Sequence, residues 1–138
     1  MNKRMSLVVS SGTADKLGTV ASLVAGAAAM EIDVELLLTF WGLDAFRKGA
    51  RERPPRLDAA YADDGVALIA RMRARSAPHW LDTLRDARAI GSVRISACSA
   101  SMELLGLTPG DLEDVVDEVT GVATFVDRAK DADIAMFV

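Results

Sequence analysis

Near the start of the chain, two short β-branched runs flank a long helix-like stretch, and this order restricts the fold more than any other feature. Met5-Ser-Leu-Val-Val-Ser10 is an apolar run closed by Ser11-Gly12, which reads as a buried strand followed by a turn. Thr13 stands where an N-cap belongs, and the Ala/Val/Leu-rich body behind it runs to Met30. Asp33-Val-Glu-Leu-Leu-Leu38 is the second strand. Strand, helix and strand in that order make a parallel crossover, the unit of an α/β fold. Within the helix, Gly18, Ala21, Ser22, Ala25, Gly26 and Ala29 recur at three- and four-residue spacing. Such a stripe is expected to let the helix backbone lie close against the sheet.

Thr39-Phe-Trp-Gly-Leu43 leaves the second strand through a glycine into a less regular region. From Asp44 to Arg94 eleven Lys/Arg face seven Asp/Glu, a local charge of +4, and Pro54-Pro55 interrupts any regular element there. Two helices are expected inside this segment, about 65–75 and 78–89, with Pro78 in the first turn of the second, where its missing N–H costs little. Val93-Arg-Ile-Ser-Ala97 reads as the third strand, and Cys98 stands where it gives way to a short helix ended by Gly106. Thr108-Pro109, with Asp111 three residues after the threonine, has the form of a capped helix start. A short strand near 117–120, a helix over 121–129 and a closing strand at 134–138 complete the chain. The expected architecture is one domain over residues 1–138, a three-layer α/β sandwich with a four- to five-stranded, mainly parallel sheet of flavodoxin-like topology. A variable basic insert occupies about 47–90.

Composition narrows the function classes. With 138 residues and 51% apolar content the chain can bury one sizeable core. The net charge of −4 argues against a nucleic-acid partner, although it conceals the basic middle and a C-terminal third in which nine Asp/Glu face two Lys/Arg. The apolar run 17–30 is broken by Gly and Thr and is too short for a membrane span. One cysteine excludes an intramolecular disulfide and cysteine-rich metal centres, so no metal and no cofactor are expected. A reducing, cytoplasmic location fits that cysteine usage.

Open α/β sheets bind ligands beyond the carboxyl ends of their strands. That rule selects Ser10-Ser11-Gly12, Phe40-Trp41-Gly42 and Cys98-Ser99-Ala100-Ser101. A cysteine between a strand and a helix faces the helix's unpaired N–H groups, which favour a thiolate or an anionic sulfur adduct. The competing reading makes Cys98 a small buried hydrophobe. His79, the only histidine, lacks partners at ligand spacing and reads as a helix-start residue; no phosphate-loop or nucleophile-elbow motif is present. Arg51, Arg53, Arg56, Arg71, Arg73 and Arg75 form either a solvated face or a surface for an acidic partner protein.

The run Leu37-Leu-Thr-Phe-Trp-Gly-Leu43 with Lys48, and Cys98-Ser-Ala-Ser-Met-Glu-Leu-Leu-Gly-Leu107, resemble motifs of the DsrE/DsrF/DsrH-like sulfur-relay family. The similarity is greatest to the subgroup with a Thr-Phe-Trp-Gly motif after the second strand and a Cys-x-x-Ser-Met motif after the third. Ser11-Gly12 with Asp15-Lys16, Leu112, Gly121-Val-Ala-Thr124 and the C-terminal apolar strand agree as well. The resemblance covers about 5–48 and 90–138 and implies a DsrEF-like fold and a homo-oligomer, a trimer or larger. It also implies a sulfur-carrying cysteine at Cys98, with Ser99 and Ser101 as hydrogen-bond donors, Phe40, Trp41 and Met102 as apolar walls, and Ser11 and Gly12 nearby. Implied donors are thiosulfate, polysulfide or a rhodanese-type protein, and the implied acceptor is a TusA-like carrier. The Arg- and Ala-rich segment 49–89 departs from the Met- and Gly-rich segment usual in that subgroup. A non-catalytic module that binds a small ligand or assembles with a protein is the alternative expectation.

Overall fold

The computed structural model describes residues 2–138. Its centre is a five-stranded, wholly parallel sheet in the order β4-β3-β2-β1-β5. The strands are β1 (Arg4–Val9), β2 (Asp33–Leu38), β3 (Val93–Cys98), β4 (Glu118–Thr120) and β5 (Ile134–Phe137). β1 pairs in register with β2 from Arg4↔Asp33 to Val9↔Leu38, and β2 with β3 from Val34↔Val93 to Leu38↔Ala97. The α/β sandwich with a parallel sheet is therefore as the sequence indicates. In the flavodoxin order β1 lies between β2 and β3; here it lies between β2 and the returning β5.

Strand alternation sends Met5, Leu7, Val9, Val34, Leu36, Leu38, Ile95 and Ala97 to one face, all fully buried. Against them pack α1 (Ala14–Ala29) and α4 (Trp80–Ile90), through Leu17, Val20, Val24, Leu81 and Leu84. The small-residue stripe does not take this position. Of Gly18, Ala21, Ser22, Ala25, Gly26 and Ala29, only Ala21 is buried, and no atom lies within 4 Å of where a side chain at Gly18 or Gly26 would begin. Burial of the larger side chains Leu17, Val20 and Val24 removes more apolar surface from water, so that face of the helix turns inward.

The basic segment is more ordered than expected at its start and displaced at its helices. Residues after β2 form a short helix, α2 (Phe40–Asp44), not an irregular loop. The next helix, α3 (Ala62–Ala74), begins three residues ahead of the expected start and buries only Gly65. Pro78 precedes α4 without entering its first turn, because His79 is the N-cap: Nδ1 accepts the Leu81 N–H at 3.1 Å. α5 (Ser99–Leu105) ends at Gly106, whose left-handed φ of 64° suits glycine. Thr108 and Asp111 do interlock, the carboxylate accepting both the Thr108 N–H and its hydroxyl, but they frame a single 3₁₀ turn, Pro109–Asp111, rather than a longer helix.

Burial holds the His79 imidazole below its ordinary value of 6.5, opposed by Asp82. Protonation would also destroy the Nδ1 acceptor that caps α4. The folded state thus binds a proton less readily than the unfolded chain, and stability falls as the pH drops through the unfolded value toward the lower folded one. The melting temperature should decline between about pH 7.5 and pH 5.5, and His79→Asn, which keeps a capping side chain without the titration, should flatten that slope. Equal slopes in the two proteins would exclude His79 as its source.

Candidate functional site

The three strand ends selected from the sequence meet at one edge of the sheet. Thr39 N–H donates to the Val9 carbonyl at 2.9 Å and Gly42 N–H to the Ser10 carbonyl at 3.1 Å, tying the β2 exit to β1. The fit depends on two glycines. A Cβ at Gly42 would stand 2.2 Å from the Val9 oxygen, and one at Gly12 would stand 2.5 Å from the Trp41 oxygen. Gly12 therefore serves the close approach of two loops, and Ser11 beside it has its hydroxyl 3.3 Å from that of Thr13.

Phe40 adopts φ +44°, a conformation that costs a bulky residue about 1–3 kcal/mol. Its N–H donates to the Ser101 hydroxyl oxygen at 3.1 Å, across to α5. Ser101 is buried and so acts as a fastener between the second and third strand ends. The consequence is that Phe40 and Trp41 are presented outward, 54% and 58% exposed, on the same edge as the exposed Leu104.

Cys98 is the N-cap residue of α5 and its backbone is extended, as a strand-to-helix junction requires. Its side chain points to the sheet face opposite α1 and α4. There it is 3% exposed and clusters with Leu37 and Phe125, with Val8 and Ala129 packed alongside. Met102 belongs to the other cluster, on the α1 side, and Ser99 is exposed. The apolar cover over the thiol is thus Leu37, Val8 and Phe125, residues that sequence reasoning did not single out, whereas Phe40 and Trp41 stand outside that cluster. Phe125 comes from α6 (Val122–Ala129), and its four-residue spacing from Ala129 is the helical signal that could have revealed a covering face.

α6 is the helix that carries this cover, and a polar network anchors its far end. Arg128 pairs with Glu118 at 2.6 Å, and Glu118 also accepts the Ser96 hydroxyl at 3.0 Å. The Arg128 hydrogen bond is the main reason the Glu118 carboxyl is held below its ordinary value. Arg4 adds a bond to the Arg128 carbonyl at 3.1 Å. Among the described residues no cluster of three or more His, Cys, Asp or Glu could hold a metal ion, and no helix is long and apolar enough to cross a membrane.

A parallel five-stranded sheet with a lone cysteine at the end of its third strand defines a small single-cysteine α/β protein. The chain matches the DsrE/DsrF/DrsH-like family over residues 1–59 and 63–137, and it belongs to that family. Membership suggests a sulfur-relay role at the level of the family. The chain is 28% identical over 156 residues to the uncharacterized protein YrkE of Bacillus subtilis, covering 99% of this chain and 97% of YrkE. Its fold is similar to that of MTH1491, a protein of unknown function from Methanobacterium thermoautotrophicum, with a TM-score of 0.59 and 18% identity over 98% and 97% of the two chains.

Two substitutions test the geometry. Phe125→Ala should cost about 3 kcal/mol or more of stability and raise the rate of Cys98 alkylation roughly tenfold or more at a pH where the chain stays folded. An unchanged rate would mean that Phe125 does not control access. Gly42→Ala should lower stability by roughly 2 kcal/mol or more, since backbone must move to admit the Cβ.

Proposed function

We propose that the chain is a cytoplasmic sulfur carrier in which Cys98 holds sulfane sulfur and passes it to a partner thiol. The observation that carries this reading is the placement of the single cysteine, at the end of β3 and the start of α5, where three strand-end loops meet. With thiosulfate as donor, the Cys98 thiolate attacks the sulfane sulfur, the S–S bond of thiosulfate breaks, and sulfite leaves with the bonding pair. A partner thiolate then attacks the outer sulfur of the persulfide, and Cys98 departs as thiolate. Polysulfide or a rhodanese-type protein would load the same atom with a persulfide, whereas attack of the thiolate on tetrathionate breaks its central S–S bond, releases thiosulfate and leaves the other form of adduct, an S-thiosulfonate. The acceptor in this reading is a TusA-like protein.

The apolar pocket of Leu37, Val8 and Phe125 would shield a persulfide from water. Phe40, Trp41 and Leu104 offer an exposed apolar edge for a partner beside it. A homo-oligomer, trimer or larger, is part of the proposal. Val122, Val126 and Phe137 support it, because they are exposed on and beside α6 where a second copy could cover them.

Burial of Cys98 favours the alternative of a non-catalytic binding or assembly module. Mass spectrometry separates the two. After incubation with thiosulfate, tetrathionate or polysulfide, the intact chain should gain a sulfur adduct that a reductant removes, and Cys98→Ser should gain none. Failure of every donor to load Cys98, with sulfur transfer unchanged in Cys98→Ser, would leave the binding module as the function.

A further inference from the structure

The outward small-residue face of α1 floors a groove that the sulfur chemistry does not use. α3 arches over it, and because α3 buries only Gly65, the space beneath it stays open. Two chambers, about 850 and about 810 Å³, lie end to end there. They share Gly18 and Ser22 of α1 and Ile69 and Met72 of α3, so they form one continuous groove with an apolar waist. Each chamber by itself is in the size range of small-molecule sites.

The two ends differ in charge. The first chamber has Asp15, Asp58 and Asp64 against Arg71. The second has Arg51, Arg53, Arg56 and Arg73 against Asp44 and Glu52. Some of these cations are neutralised: Arg51 pairs with Asp82 at 3.1 Å, and Arg56 with Asp44 at 2.9 Å. Arg53 donates only to the carbonyls of Ala45, Arg47 and Lys48, which leaves its charge uncompensated. Arg73 makes no ion pair among the described residues. Arg53 and Arg73, with Glu52 the one carboxylate of that chamber that makes no ion pair among the described residues, leave a net positive charge at one end of the channel, and the acidic far end would repel an anion entering the other way round.

The waist selects against polar occupants. Its walls are helices, whose interior backbone N–H and C=O groups are already paired, and the Ser22 hydroxyl is the one side-chain polar group among the residues that the two chambers share, so a peptide or a sugar lying there would leave most of its own polar groups unmatched. A hydrocarbon chain needs no such partners. We propose that this groove binds an amphipathic monoanion, an aliphatic carboxylate, with its head at Arg53 and Arg73 and its chain along Gly18 and Ser22 beneath Ile69 and Met72.

Isothermal titration calorimetry of the full chain with decanoate tests this, with decyltrimethylammonium as the same chain bearing the opposite charge. One saturable site is expected, at least tenfold tighter for decanoate. Ser22→Leu, an exposed helical position where the new side chain fills the waist, should weaken decanoate at least tenfold with the melting temperature preserved. Arg73→Glu should erase the preference for the anion, and Cys98→Ser should bind as the parent does. The proposal is overturned by absence of saturable binding, by equal affinity for the two amphiphiles, or by an unaltered affinity in Ser22→Leu. Adsorption to anionic phospholipid vesicles without uptake of monomeric decanoate would overturn it too.

Discussion

The direction in which the chain crosses the sheet governs what the rest of the molecule can do. β1 to β4 advance in one direction, and β5 returns to the far side of β1. Because parallel crossovers are right-handed, advancing connections pack on one face and the returning one on the other. The first face therefore receives α1 and α4 and a full apolar core. The second receives α6, eight residues long, with one buried aromatic ring. Cys98 lies beneath that ring.

This asymmetry connects stability to access. The first face is closed by large aliphatic side chains and is expected to open only with global unfolding. The second face is held by Phe125 and by the Arg128–Glu118–Ser96 network at its rim, so few contacts must break for local opening to reach the thiol. A covered sulfur atom with a thin cover suits a carrier, which must exclude water between transfers and admit a partner during them. Next to this cover, the strained Phe40 and its neighbour Trp41 are turned outward by close backbone contacts at Gly12 and Gly42. Rigid loops and a lightly held helix thus adjoin at the same sheet edge.

Much of this is legible in the sequence. The β-branched runs, the Gly106 stop and the cysteine at a strand end are local signals, and the structure places each within one or two residues of its expected position. The strand order and the cover over Cys98 are not local. Leu36, Leu37 and Leu38 are all buried, so hydrophobicity alone cannot say which leucine faces α6. The same limit applies to the small-residue stripe on α1, where spacing identifies a face but not the side it turns to. Met102 and Cys98 sit four residues apart yet fall in different clusters, because the chain passes from strand to helix between them.

The lifetime of a loaded sulfur tests the central claim most directly. Cyanide removes the outer sulfur of a persulfide as thiocyanate, so the release rate reports how far the sulfur is shielded. On the folded chain carrying a persulfide at Cys98, release should be slower than on the same chain unfolded in urea by roughly tenfold or more. Equal rates in the two states would contradict the claim that Phe125 and its neighbours protect the cargo.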